Sequence, residues 1–355
     1  MKIRLPKVVI GKKKYSFGML LLIGFSLSLG LFIFSINKFE ILPSVFFGDH
    51  KQILKFSQTV TNWSTNGYLN TGMFYKILGL TGSLNILVVF SFTVCLGAFI
   101  YLLMTAPVID FSSLIILFLF LSLSSVFLQQ YSKDFFVLVM IMAMIAVGFR
   151  HKILLVLFIV FAFGYAYYFR KYWGLVLLTY IGFNCIFLLF KIRPTRKNIV
   201  LLIFAFMLML SLAFEVILNV GLSHYRMIIN INRIGDVNAT SIILPFIPLG
   251  NFLLEWVNSL ITMIMLLLPF PLLALGGIQH VVSFIAISFV YFTFFKDLKF
   301  AVLDSVGKQA ALFLISFVMI QSVFEPDYGS FLRHLTPLLP LVLVVHYRVL
   351  MMRNK

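Results

Sequence analysis

Apolar residues run along this chain in long blocks, without the two-residue alternation of a half-buried strand or the polar stripe of a soluble helix. A membrane-spanning helix needs about 20 mostly apolar residues, because the hydrocarbon core is about 30 Å thick and each residue rises 1.5 Å. Blocks at or near that length cover Tyr15–Ile36, Leu84–Leu103, Phe111–Leu128, Phe135–Gly148, Ile153–Phe169, Trp173–Phe190, Ile199–Val220, Val281–Phe295, Gln309–Val323 and the shorter Pro337–Tyr347. The first is too long for a signal-peptide core and is not followed by a small-residue cleavage pattern, so it reads as a signal anchor. Asn251–His280 is apolar enough to cross, but Glu255, Trp256, Asn258, Pro269 and Pro271 interrupt it.

The distribution of charge decides how that segment is read. Lys and Arg concentrate in cytoplasmic loops of membrane proteins. With the N-terminus inside and Asn251–His280 not crossing, 18 of the 28 Lys and Arg fall inside, against 3 of the 11 Asp and Glu. A full crossing would exchange the sides of the later tufts and erase most of this asymmetry. The pattern therefore predicts an all-α integral membrane protein, residues 1–355 forming one polytopic domain. It would have about ten transmembrane helices plus one re-entrant or interfacial segment, with both termini cytoplasmic.

Composition agrees. Hydrophobic residues make up 62% of the 355 and charged residues only 11%, under half the share usual in soluble domains. The net charge of +17 is spread as short tufts between apolar blocks, which anchor a membrane protein and do not form the clustered face that nucleic acid requires. The two cysteines, Cys95 and Cys185, lie inside apolar blocks and do not indicate a disulfide framework.

The expected topology gathers the unusual polar residues in outward-facing segments, chiefly 37–83, 221–280 and 324–336, with the short turn 129–134 and the pair Arg170-Lys171 also outside. Arg226 and Arg233 are seven apart and on one helix would share a face, offering two forks to a diphosphate; they could equally pair with Asp236, Glu215 or lipid headgroups. His224 lies beside them. The segment Phe324–Pro337 holds Glu325, Asp327, Tyr328, Arg333 and His334, a density of ionisable groups that is expensive at membrane depth and usually functional. Its bland alternative is a helix-capping turn. Pro337 places the Arg333–His334 pair near a helix break. His334 suits a general base because an unperturbed imidazole is largely neutral at pH 7, with Asp49 and Asp327 as alternatives. In the first loop, Trp63, Tyr68 and Tyr75 could stack on sugars or simply anchor at the interface. Asn62-Trp63-Ser64 and Asn238-Ala239-Thr240 match the glycosylation triplet, a common pattern. No phosphate-cradling Gly-rich loop, HExxH or Cys/His metal spacing is present, so neither a metal nor another cofactor is expected.

The basic N-terminus, the early Asp49, the stretch Gly67–Leu78 (GYLNTGMFYKIL) and the Arg-containing outer loops resemble the Wzy-type polysaccharide repeat-unit polymerases, including their EpsG-like branch. Where that branch often shows an Arg-Gln pair near the turn Ser132-Lys133-Asp134-Phe135, this chain has Gln129-Gln130. The resemblance implies a GT-C-like glycosyltransferase of the bacterial inner membrane. Such an enzyme transfers a glycan from one undecaprenyl diphosphate to the sugar end of another lipid-linked repeat unit, on the outer face. It also implies membrane lipids and a chain-length regulator protein as partners, and no nucleic acid. In those terms Arg226, Arg233 and Arg333 would bind the diphosphate, His224, Tyr328 and Glu325 the glycan, and His334, Asp49 or Asp327 would carry catalysis. A lipid-linked-oligosaccharide flippase or other transporter, or another lipid-linked glycosyltransferase or acyltransferase, remains open.

Overall fold

The computed structural model describes residues 7–10, 13–149, 151–236 and 239–353. Arg150, Asn238 and part of the N-terminal basic tuft (Lys2, Arg4 and Lys12) lie outside them, so the second glycosylation triplet has no structural account.

The helices are α1 Phe17–Ile41, α2 Gly48–Thr59, α3 Gly67–Ile77, α4 Leu84–Thr105, α5 Phe111–Phe127, α6 Asp134–Ala143, α7 Lys152–Tyr168, α8 Tyr172–Leu189, α9 Arg196–Leu218, α10 His224–Ile231, α11 Phe252–Leu267, α12 Phe270–Leu275, α13 Ile278–Asp297, α14 Ser305–Phe324, α15 Tyr328–Leu335 and α16 Leu339–Arg353. Among the described residues, seven helices are long and apolar enough to cross a membrane: Gly18–Ile41, Leu84–Thr105, Tyr172–Leu189, Arg196–Leu218, Ile278–Asp297, Ser305–Phe324 and Tyr328–Arg353. The chain is thus a helical membrane protein. Phe111–Phe127, Asp134–Val147, Ile153–Tyr168 and Phe252–Leu267 are apolar helices of shorter length.

The chain divides into two compact units, Met1–Lys171 with Thr336–Lys355, and Tyr172–Leu335. In the first, α1 packs on α4 and α5, and α16 on α5 and α6. A small sheet ties one end together: β1 (Lys7–Ile10) pairs antiparallel with β2 (Lys13–Tyr15) and parallel with β3 (Val108–Ile109) in the α4–α5 turn. At that turn Asp110 caps α5, accepting from Ser113 N at 2.9 Å, and its Oδ1 lies 2.8 Å from His346 Nε2 on α16. At the opposite end of α1, Lys38 is fully buried and donates to the carbonyls of Ser125 (2.7 Å) and Gln129 (2.8 Å), where α5 leaves its last acceptors unsatisfied.

Two expectations for this unit change. The stretch 37–83 is not an open loop: its first residues extend α1, and the rest folds into the α2–α3 hairpin. The turn 129–134 is not exposed. All six of its residues are buried, with Tyr75 Oη donating to Ser132 O (3.0 Å) and Tyr131 N–H donating to His50 Nδ1 (3.2 Å). Asp134 there meets Arg170 at 2.9 Å in a buried ion pair, although both had the look of surface charges in the sequence.

In the second unit α14 is the central helix, nearly every residue of it buried, packed on α8 and α11. Its start is tied to the later half of α8, where Tyr180 Oη donates to Gln309 Oε1 (2.5 Å) and Gln309 Nε2 donates to Asn184 Oδ1 (2.7 Å). Asn251–His280 folds as α11, a kink at Leu268–Pro269, and α12 packed back on α13. Both of its ends are tied to the same connection between α9 and α11, through Glu255 to Ser223 and through His280 to Thr240.

Candidate functional site

The polar residues singled out in the second half of the chain converge on the end of the second unit formed by α10, α15 and the segment Ser241–Ile243. Local chemistry explains the frame. Pro326 disfavours a helical residue before it, so α14 ends at Phe324 with Glu325 extended. Asp327 then caps α15, accepting from Ser330 N at 2.7 Å and Ser330 Oγ at 2.9 Å. Backbone bonds from Ile243 N to Pro326 O (2.8 Å) and from Tyr328 N to Ser241 O (3.1 Å) clamp this break to the preceding connection.

Within that frame His334 lies between two charged side chains. Its Nδ1 lies 2.8 Å from Glu325 Oε2, and its Nε2 lies 3.4 Å from Arg333 Nη2. A carboxylate only accepts and a guanidinium only donates. The neutral imidazole therefore carries its proton on Nδ1, donated to Glu325, and leaves the Nε2 lone pair facing Arg333. Gln321 Nε2 makes a longer contact with Nδ1 at 3.3 Å. Glu325 and His334 are both buried, Glu325 more deeply, and the ring of Tyr172 lies 6.3 Å from that of His334. A base oriented through its second nitrogen by a carboxylate is the arrangement that general-base catalysis uses.

The arginines differ from the expectation. α10 stops at Ile231, so Arg233 lies in the following turn and does not share a helical face with Arg226. Arg226 is fully buried: Nη1 donates to Ser322 O (2.9 Å) and Thr262 Oγ1 (3.2 Å), and Nη2 reaches Ser223 Oγ at 3.5 Å. Ser223 Oγ in turn donates to Glu255 Oε2 at 2.5 Å. Burial pushes the Arg226 pKa down to about 10, with Glu255 and Tyr328 opposing the shift, so it stays cationic at neutral pH. Arg233 Nη1 pairs with Asp327 Oδ2 at 2.6 Å, which occupies one prong of its fork. The two arginines therefore differ in setting, Arg226 buried against the Ser322 carbonyl and Arg233 partly exposed on the Asp327 cap. His224 is exposed at the start of α10, and the hydroxyl of buried Tyr328 has no hydrogen-bond partner among the described residues.

Asp49 belongs to the other unit, where its Oδ1 accepts from Tyr68 Oη at 3.0 Å and Lys133 Nζ sits 3.2 Å above the Tyr68 ring. His50, next to it, is buried with its pKa lowered to about 4, first by desolvation and then by Lys38 and Lys51.

Sequence reasoning missed three elements of this arrangement: Glu255, Gln321 and the Glu325–His334 pairing. Glu255 stood out only as an interruption of an apolar block, although a lone carboxylate there is itself a signal. Glu325, which the resemblance places with the glycan, lies nine positions from His334 across a helix break, so the sequence does not signal their pairing. No family model, curated protein or solved structure matches this chain.

Proposed function

We propose that this protein polymerises undecaprenyl-diphosphate-linked oligosaccharide repeat units on the outer face of the bacterial inner membrane. The observation that carries the reading is the Glu325–His334–Arg333 constellation at one end of a membrane helix bundle, in the unit that also holds the Arg233–Asp327 pair and buried Arg226. In this reading the acceptor sugar hydroxyl loses its proton to His334 Nε2 as its oxygen attacks the anomeric carbon of the donor. The bond from that carbon to the diphosphate breaks, and undecaprenyl diphosphate leaves as an anion. Glu325 holds the imidazole and stabilises its protonated form, while Arg333 and Arg233 offset the charge on the leaving group. His224 and Tyr328 would face the sugars, with Asp49 and Asp327 as the alternative bases.

The same reading counts the three shorter apolar helices of the first unit as crossings, which makes ten spans in a GT-C-like arrangement with both termini cytoplasmic. Asn251–His280 is then re-entrant, since both of its ends are tied to one connection. Buried polar residues along α14, namely Ser316, Gln321 and Ser322, favour a second reading, a lipid-linked-oligosaccharide flippase with a polar path through its helices. Deleting the gene distinguishes the two. A polymerase deletion leaves single lipid-linked repeat units exposed on the outer face, whereas a flippase deletion traps them on the cytoplasmic face and would reject the polymerase reading.

A further inference from the structure

A cavity of about 180 Å³ opens in the second unit between α9, α11, α13 and α14, lined by none of the residues of the His334 constellation. It exceeds the ~150 Å³ of an engineered apolar cavity that takes up benzene. Its wall is almost wholly aliphatic and aromatic, with Ile203 and Val318 inside and exposed Val200 and Phe295 on the rim. Two lining groups break this pattern. Arg196 stands at one end, donating Nε to Leu298 O (2.8 Å) and Nη2 to Phe295 O (2.9 Å), which leaves Nη1 over. Tyr291 lines the interior, 1% exposed, and its hydroxyl has no hydrogen-bond partner among the described residues. A buried hydroxyl left unpaired costs about 1–3 kcal/mol, so its place on the wall of a cavity calls for an acceptor within that cavity.

Charge points the same way. Arg193, Arg196 and Lys197 lead into α9, and Lys296 and Lys299 lie at the end of α13, all exposed. Of the acidic residues nearby, Asp297 is fully buried and Asp304 is engaged as the cap of α14, accepting from Gly307 N at 2.9 Å. The end of the cavity is therefore cationic, its length apolar, and a single hydroxyl donor lies between.

We infer that this cavity is a binding site for an anionic phospholipid. The headgroup phosphate would sit at Arg196 and Lys299, an ester carbonyl would accept from Tyr291 Oη, and an acyl chain would lie along Ile203 and Val318. Basic pockets between transmembrane helices hold anionic headgroups in this way, and each basic residue near such a charge contributes about fivefold in affinity. The inference is independent of polymerisation.

Native mass spectrometry of the purified full-length protein in non-ionic detergent tests it, titrating phosphatidylglycerol against phosphatidylcholine with identical acyl chains. The expected result is one retained phosphatidylglycerol and little retained phosphatidylcholine. Lys299→Gln should weaken retention about fivefold, and Val318→Phe, which fills the cavity, should abolish it. Equal retention of the two lipids, or full phosphatidylglycerol binding in Val318→Phe, overturns the proposal. If Val318→Phe does not fold, Tyr291→Phe decides, because it removes only the hydroxyl: unchanged phosphatidylglycerol affinity in that variant also overturns it.

Discussion

His334 is defined by what its two nitrogens face. With Nδ1–H held by Glu325, the Nε2 lone pair faces Arg333 Nη2 at 3.4 Å, a contact long enough for a substrate hydroxyl to displace. His334→Ala should lower polymer formation about 10²–10⁴-fold, the usual contribution of a general base, without loss of the protein. Glu325→Gln keeps an acceptor for Nδ1–H but not its charge, so it should slow turnover by a smaller factor and leave affinity for the lipid-linked acceptor unchanged. Polymer of normal length from stably expressed His334→Ala would exclude this base and shift the role to Asp49. Arg233 offers a sharper test of the fork. Its ion pair with Asp327 uses Nη1 alone, which a lysine can reproduce, whereas two-pronged binding of a diphosphate is beyond a lysine. Loss of polymer in Arg233→Lys, with thermal stability retained, is the expected result; full activity would reduce Arg233 to a structural anchor. His50 gives a prediction about pH. Its folded pKa of about 4 lies below the ordinary value near 6.5, so the unfolded chain binds a proton that the folded chain refuses. Stability should be constant above pH 6.5 and fall by about 3 kcal/mol as pH drops towards 4. Thermal unfolding in detergent at pH 7 and pH 5 should show the fall, and His50→Asn should lose this part of the pH dependence.

At the scale of elements, sequence legibility follows burial chemistry. The apolar blocks placed α4, α8, α9, α13 and α14 within a few residues, because a helix in lipid must be apolar on all sides and the chain shows it directly. The hairpin α2–α3 escaped because it is amphipathic and half polar, so in a hydropathy reading it merges with loop. Lys38 and Asp134 looked like loop charges for the same reason: one neutralises helix-end carbonyls and the other pairs with Arg170 thirty-six residues away, and sequence proximity signals neither partner. The chemistry of 324–337 was legible from residue type and density, but its geometry was not. Glu325 and His334 meet only because Pro326 breaks the helix between them and Asp327 starts the next. The α2–α3 hairpin depends on one close approach. A Cβ on Gly72 would lie 2.8 Å from Ser57 N and 3.1 Å from Ile53 O, both backbone atoms that cannot step aside. Gly72→Ala should therefore cost about 1–3 kcal/mol and raise proteolysis between residues 48 and 77. Wild-type stability and protection in that variant would show that the two helices are not held at this distance in the membrane.

For the whole molecule, the side of the membrane on which each charged tuft lies is the remaining step from bundle to function. Within the first unit, the sheet β1–β3 and the Asp110–His346 contact place the start of α1, the α4–α5 turn and the second half of α16 at one end. An even number of crossings must separate these points along the chain. Within the second unit, Arg196 at the start of α9 reaches the carbonyls of Phe295 and Leu298 at the end of α13, so those two helix ends also share a side. If α9 and α13 each cross once, as proposed, that second relation leaves α11 and α12 together no net crossing. The 18 of 28 basic residues assigned to the inside rest on the same condition. Alkaline phosphatase fusions, active only outside the cytoplasm, should therefore be inactive after Arg196 and Lys299 and active near Asn62, Asp236 and Gly329. An active fusion at Lys299 with an inactive one at Arg196 would mean that Asn251–His280 crosses. It would also contradict the Arg196–Phe295 contact and divide Glu255 from His280, removing the single-sided site on which the polymerase reading depends.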